Sequence, residues 1–402
     1  MLPGDPKALG RRVAFHRNRR GLSQKELGTR INRSESWVSQ VERGVRQIDR
    51  MSVLETLADA LEVPIAELAP ESNVVAATAQ KPRAANTLSL ALSSSDALRA
   101  VLSDTAPVDV DRLGDEAVKA WDFAHGAHYE DLGELLDKLI PELEYAARKT
   151  VGIDKQRVCV AKAKAYHAAA GVLAKLGESA AAWVAVDRAI AAAEEADDPL
   201  LMAEGAFRLS IVFQGSRRFD LAIRTAETAA HALSRLVDVG EAEAVALRGA
   251  LHLQLAVASA KLNDGDAAYD YLRKARAAAE QLGADRNDYN TEFGPTNVLL
   301  HEVNVAVELG DAGHALRVAD KADTQRLSPE RQCRLLIDVA RARAQRRQPD
   351  AMVAALRRAE AIAPEQVHGH QAVHELVLDA LRAGHTDSVD LQRLAEDLNL
   401  ST

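Results

Sequence analysis

The sequence predicts an all-α chain: a small bundle of five short helices, a linker, and a long array of paired helices. Three observations carry this. Residues 23–44 hold two helix-start signals on either side of a tight turn. From about residue 111 onward, apolar stretches of helical period alternate with Gly, Pro, Asn and Asp turns. No β-branched alternation in that region is long enough for a sheet.

The first helix is expected over residues 9–19, with Val13 inward. Ser23 caps the second, and Glu26 three residues later completes a capping box, in which each side chain bonds the other residue's backbone N–H. Leu27 and Ile31 stand four apart and face inward together. Asn32 tolerates the left-handed conformation of a sharp turn. Ser34 caps the third helix, Val38 and Val41 form its buried face, and Gly44 ends it. Ser52 with Glu55 forms a second capping box opening a fourth helix, and Val63-Pro64 leads into a fifth that ends near Ala69-Pro70. Two short helices about a compact turn are the helix-turn-helix layout, whose second helix enters the DNA major groove.

Charge supports that assignment. Residues 7–50 hold twelve Lys or Arg against four acids, a net +8 on a chain whose total is −9, which leaves −17 elsewhere. A basic module on an acidic body concentrates attraction to phosphate in one place. Residues 8–68 resemble an XRE-type (phage-repressor-like) helix-turn-helix domain. The resemblance rests on Gly21-Leu22-Ser23-Gln24, on Val38-Ser39-Gln40-Val41-Glu42-Arg43-Gly44 and on Leu54-Glu55-Thr56-Leu57-Ala58. The turn departs from the family pattern, with Asn32 where Gly is usual and Arg33 where an apolar residue is usual. Double-stranded DNA is therefore the expected partner. Base edges would be read by Glu35, Ser36 and Gln40, with Ser39 beside them; Gln40 suits adenine and Glu35 suits cytosine N4. Gln24, Arg33, Trp37, Arg43 and Arg46 would hold phosphates. For Trp37 the competing reading is packing into the small core. The resemblance also implies a pair between Arg17 and Glu42.

Residues 72–95 mix Ala, Ser, Thr, Asn and Pro82 with little periodicity, so 71–93 reads as a linker, with one short helix expected at Ser95–Leu102. The expected domains are thus 8–70, a linker over 71–110, and a helical body over 111–402. Only Cys159 and Cys333 are present, too few for a disulfide framework or a Cys-based zinc site. The N-terminal residues lack a signal peptide's apolar segment, and no apolar run approaches the roughly eighteen residues of a membrane helix, so a soluble, cytoplasmic protein is expected.

The body repeats. Ala182 and Ala189, Ala222 and Ala229, Ala268 and Ala275, and Ala315 and Ala322 are pairs seven residues apart, each preceded by a turn. Those turns are Leu176-Gly177-Glu178, Ser216-Arg217-Arg218, Leu262-Asn263-Asp264-Gly265 and Leu309-Gly310-Asp311; looser copies surround Gly126-Ala127-His128-Tyr129 and Pro349-Asp350-Ala351. Small residues two turns apart let a preceding helix approach closely, as in helix pairs resembling the tetratricopeptide type. Corresponding points (132, 182, 222, 268, 315, 352) are 37 to 50 residues apart. That exceeds the roughly 34 residues of that repeat, so longer helices or loops are expected. An α-solenoid follows. Its concave side would be lined by Trp121, Lys164, His167, Glu204, Phe207, Gln214, Asn297, Asn304, Arg334 and Arg341, a mixture suited to a peptide or polar small molecule.

The whole chain also resembles bacterial regulators that join an XRE-type domain to a tetratricopeptide-like body, with Phe293-Gly294-Pro295-Thr296-Asn297-Val298 and the stretch from Val305 to Asp311 as the signature. The resemblance implies DNA binding controlled by the solenoid, often through a signalling peptide, and commonly a homodimer. Catalysis finds no motif: there is no phosphate loop ending in Gly-Lys-Ser/Thr, no dinucleotide fingerprint and no His-Glu-x-x-His. His368, His370 and His374 offer too few ligands for zinc, and neither a metal nor a cofactor is expected. The alternative function is a protein-interaction scaffold or antitoxin-like partner in which the helix-turn-helix only localises the protein.

Overall fold

Capping chemistry sets the helices of the N-terminal region. In the computed structural model α1 spans Pro6–Arg19, α2 Gln24–Arg30, α3 Glu35–Glu42 and α4 Met51–Leu61. Ser23 and Glu26 form the expected capping box, and the Ser34 side chain accepts from the Trp37 N–H. Asn32 takes φ 51 in the turn between α2 and α3, and Gly44 takes φ 69 at the end of α3. Val13, Leu27, Ile31, Val38, Val41, Ile48, Leu54, Leu57, Ala58, Leu61 and Leu68 make one buried cluster. The structure describes residues 6–46, 48, 51–61, 63, 68, 82–92, 108–325, 327–383 and 388–400. The side chains of Ser52 and Glu55, most of the expected fifth helix and the helix expected at Ser95–Leu102 lie outside them. No described helix is long and apolar enough to cross a membrane.

By compactness the chain divides into residues 1–80 with 377–402, and residues 81–376. The second unit begins earlier than the sequence suggests. Helix α5 (Arg83–Ala91) turns Ala84, Ala85, Leu88 and Ala91 inward and packs on α7 (Tyr129–Lys149). A stretch read as linker is therefore a helix, whose apolar residues recur at helical spacing. Gly133 permits the approach, since a Cβ there would lie 3.2 Å from Thr87.

Six helix pairs follow among the described residues. They are α6 (Val110–Gly126) with α7, α8 (Gly152–Lys175) with α9 (Ser179–Glu195), and α10 (Pro199–Gly215) with α11 (Phe219–Ala232). After a short α12 (Ser234–Asp238) come α13 (Ala242–Lys261) with α14 (Gly265–Leu282), α15 (Pro295–Leu309) with α16 (Ala312–Ala319), and α17 (Pro329–Gln345) with α18 (Pro349–Ile362). Helices α19 (Pro364–His368), α20 (Gln371–Arg382) and α21 (Val389–Asp397) complete the described chain.

One local device makes all six turns. The first helix of each pair ends in a left-handed residue: Ala127, Gly177, Arg217, Asn263, Gly310 and Arg347. The next N–H then donates back to the carbonyl five residues earlier, from His128 to Phe123, Glu178 to Leu173, Arg218 to Phe213, Asp264 to Ser259, Asp311 to Ala306 and Gln348 to Arg343, all at 2.8–3.0 Å. This Schellman closure satisfies end carbonyls that would otherwise be orphaned. Ala182, Ala189, Ala222, Ala268, Ala275 and Ala315 are buried as expected. Ala229 is only partly buried, and Ala322 lies beyond the end of α16.

The first helices contact one another from pair to pair: α6 with α8, α8 with α10, α10 with α13, α13 with α15, and α15 with α17. The array also curls far enough for α17 to meet α6. Small rotations added over six pairs thus bring the inner helices together. The segment between α14 and α15 enters this inner side. Phe293 is fully buried against Gly249 of α13, where any Cβ would stand 2.1 Å from the ring.

Candidate DNA interface and solenoid interior

Helix α3 is held by its buried side and presents the opposite one. Val38 and Val41 point into the core, while the Glu42 carboxylate is gripped from two directions. Arg17 of α1 donates from Nε to Oε1 at 2.5 Å and from Nη2 to Oε2 at 3.0 Å; Gln24 of α2 donates from Nε2 to Oε2 at 2.6 Å. The pair expected from the family resemblance is therefore present, and it joins α1, α2 and α3. Hydrogen bonding to Glu42 raises the Arg17 pKa further, so the guanidinium stays charged. Two glycines allow the close fit. A Cβ on Gly10 would meet the Val41 carbonyl at 2.4 Å, and one on Gly28 would meet the Arg33 carbonyl at 2.7 Å. Nothing in the local pattern marks these contacts, because each joins separate elements.

On the outer side, Glu35 and Ser36 are exposed and Ser39 and Gln40 half-exposed. Ser36, Ser39, Gln40 and Arg43 follow helical spacing, so they share one solvent stripe. Arg43 and Arg46 are exposed at its end. Two expectations change. Gln24 does not hold its side chain free for a phosphate, because its amide is engaged by Glu42. Trp37 packs against the small core, and the Arg33 guanidinium lies 5.7 Å from its ring centroid.

The solenoid interior is polar and dense. Of the ten residues expected on the concave side, Trp121, His167, Glu204, Phe207, Gln214 and Asn297 are buried rather than facing an open groove, because the curled array closes over them. Lys164, Asn304, Arg334 and Arg341 stay half-buried. Gln214 donates to Gln254 at 3.0 Å. Asn304 donates to both oxygens of Asp338, at 3.1 and 3.0 Å, and Asp338 also receives Arg341, which reaches Glu308 at 2.8 Å.

Four residues that knit this interior together, Lys175, Arg208, Glu330 and Arg331, are not among those expected from the sequence. Arg208 lies over the Trp121 ring at 4.6 Å and donates to the Asn290 carbonyl at 2.7 Å. Its partner Glu204 lies 3.4 Å away; burial pushes the Glu204 carboxyl up to about 7 despite that cation. Burial and then Arg208 push His167 down to about 3, so its ring is neutral. Glu330 meets Lys175 at 3.2 Å and Arg331 at 3.4 Å. Burial pushes the Glu330 carboxyl up, but Lys175, Arg331 and Arg334 outweigh it and hold it below the usual range. Several buried atoms have no partner among the described residues: Trp121 Nε1, Glu204 Oε2, Asn297 Oδ1, His301 Nε2 and Asn304 Oδ1. Buried polar atoms are normally satisfied, so each exception calls for an explanation, bound water or ligand among them.

The remaining candidates have structural roles. His368 meets Glu360 at 2.9 Å and His374 meets the His368 carbonyl at 2.8 Å. Cys159 and Cys333 are buried thiols, and burial pushes them up to about 11 and about 12, away from reactive thiolates.

Residues 8–70 match the family model of a helix-turn-helix domain. The N-terminal region is therefore a helix-turn-helix domain, the class its caps, turn and α3 geometry define. A solved structure with some likeness to the chain is Bacillus thuringiensis PlcR in complex with the peptide PapR7 and DNA: 18% identical, covering 69% of this chain and 96% of that one, with a TM-score of 0.31. No curated protein matches the chain.

Proposed function

We propose that the chain is a sequence-specific DNA-binding transcriptional regulator whose solenoid senses a peptide, small molecule or protein partner. The observation that carries the DNA half is α3 itself. It is locked by Arg17, Gln24 and Glu42, with Ser36, Ser39, Gln40 and Arg43 on its outer stripe. Glu35, Ser36, Ser39 and Gln40 then face base edges, while Arg33, Arg43 and Arg46 meet phosphates, joined by backbone N–H groups at the start of α2. The unsatisfied buried atoms support the sensing half. In this reading the protein is a non-enzymatic, cytoplasmic XRE-type homodimer, with the DNA-binding domain at 8–70 and the sensor beyond 110.

Selection of operator sequences from a random library tests the first half. Gln40→Ala should then relax preference at one position at a cost of about 1–3 kcal/mol. Equal weakening on all sequences would remove Gln40 as a reader. Failure to select any sequence would favour the scaffold reading.

A further inference from the structure

The segment between α14 and α15 behaves as a ligand of its own solenoid. Residues 290–292 touch inner helices from four different pairs. The Asn290 carbonyl accepts from Arg208 of α10 at 2.7 Å. The Thr291 carbonyl accepts from Arg331 Nη2 of α17 at 2.9 Å and from Asn297 of α15 at 3.4 Å. The Glu292 carboxylate accepts from Arg331 Nε and from the Ser328 hydroxyl, each at 3.1 Å, with His125 Nε2 of α6 at 3.8 Å. Two carbonyls and a carboxylate are thus read by side chains from elements far apart in sequence. Recognition of that kind is how a protein holds a bound peptide.

The segment also holds this position under backbone strain. Tyr289, Asn290 and Glu292 have φ of 48, 54 and 49. Asn favours that region; Tyr and Glu enter it at a cost, and such conformations persist where surrounding contacts impose them. The docked loop is therefore tied by polar contacts that a competitor could replace, and its release relieves strain. Beside it the indole N–H of Trp121, Oδ1 of Asn297 and Nε2 of His301 are buried without partners, leaving a donor and two acceptors unused by the loop.

We propose that residues 290–292 occupy, in cis, a binding site for an acidic peptide, and that such a peptide takes the places of Glu292 and the two neighbouring carbonyls. The proposal rests on the reading of the solenoid as a sensor and gives it a ligand class. A simple carboxylate would satisfy Arg331 and Ser328 but leave Arg208 without the carbonyl it now holds. A peptide with an acidic side chain satisfies all of them.

Apparent affinity for an outside ligand scales with the fraction of molecules whose site is vacant. Weakening the loop's hold should therefore strengthen binding in trans. The experiment titrates fluorescein-labelled Asn-Thr-Glu amide into the full-length protein and reads anisotropy. Glu292→Gln should bind it at least about tenfold more tightly than the wild type, and Glu292→Gln with Arg331→Met should lose that gain. Equal affinity in wild type and Glu292→Gln, or binding that survives Arg331→Met, overturns the proposal. Displacement by acetate as effective as by unlabelled peptide also overturns it, marking a simple anion site. Should Glu292→Gln not fold, hydrogen exchange on the wild type decides. Excess peptide must accelerate exchange at residues 289–293, and unchanged exchange refutes displacement. None of these readouts involves DNA, so failure to find an operator leaves them standing.

Discussion

Glu42→Gln removes one charge and tests how α3 is held. In the native domain both carboxylate oxygens are used, Oε1 by Arg17 and Oε2 by Arg17 and Gln24. An amide supplies one acceptor and sets an NH2 against donors that cannot accept. The side chains of Arg17 and Glu42 are only 11% and 7% exposed, so solvent screens the pair weakly. Breaking a fully buried pair costs about 3–5 kcal/mol, and an exposed one less than about 1. This geometry lies toward the buried end, and about 2–3 kcal/mol is expected. A domain of this size has roughly 3–9 kcal/mol in all, so the loss is a large fraction. Hydrogen exchange of residues 24–42 in the full-length protein reads it as a local opening free energy. The cycle of Arg17→Met, Glu42→Gln and the double variant should show a coupling of about 2 kcal/mol. DNA affinity should fall on every sequence alike, because Glu42 lies off the outer stripe. Coupling below about 0.5 kcal/mol, or loss of preference at a single base pair, would refute the reasoning.

Three further outcomes are expected. Gly249→Ala places a methyl 2.1 Å from the Phe293 ring and should destabilise the solenoid by about 1–3 kcal/mol in urea melts, with partial recovery on adding Phe293→Leu; a neutral Gly249→Ala would contradict the packing. Arg347 is exposed with φ 58 in the last turn of the repeat series, so Arg347→Gly should raise stability by about 0.5 kcal/mol, the left-handed penalty exceeding glycine's greater entropy when unfolded; a lower melting temperature would count against this. Stability should also fall as pH drops from about 7 to 4, because burial holds His167, His252 and His370 down at about 3, 4 and 4, so the unfolded chain gains their protons first. Their contribution is fully present above pH 6.5 and lost as pH falls through those values; Glu204, raised to about 7, works in the opposite direction, its contribution present below 4.5 and lost as pH rises through 7. A melting temperature that rises as pH falls from 7 to 5 would reverse the sign.

Legibility followed distance along the chain. The Ser23–Glu26 box, the left-handed Asn32 and the turns at Gly177, Arg217, Asn263 and Gly310 depend on residues within one or two helical turns, and all are visible in the sequence. Arg17–Glu42 was reachable only through resemblance to a family, since nothing in the spacing of two residues on separate helices shows that they meet. Helix α5 was missed because small Ala residues signal periodicity weakly, although Ala84, Leu88 and Ala91 do keep one face. The interior was the least legible part. Which inner residues close over one another depends on curvature accumulated across six pairs, and the contacts of Arg208 with Asn290 and Gly249 with Phe293 arise only after that closure.

That interior is a poor arrangement for stability alone. The apolar core of the solenoid is filled mainly by Ala, Leu and Val, which need no partners. Arg208, Glu330 and Arg331 have instead been taken out of water, with Lys175 half-buried beside them, and even a well-formed buried ion pair is often no more stabilising than apolar residues of similar size. Here the pairing is also incomplete, since Glu204 Oε2, Asn297 Oδ1 and His301 Nε2 stay unsatisfied among the described residues. A fold requiring only cohesion gains nothing from unsatisfied atoms that each carry a desolvation cost. A sensor does gain from them, because groups left unpaired in one state can be satisfied by a ligand in another. Regulation then requires that the ligand bind the two DNA-affinity states unequally, and a tenfold effect on DNA affinity needs about 1.4 kcal/mol of that difference. One or two net hydrogen bonds, gained when a ligand meets the Trp121 and Asn297 atoms that the loop leaves unused, are of that size.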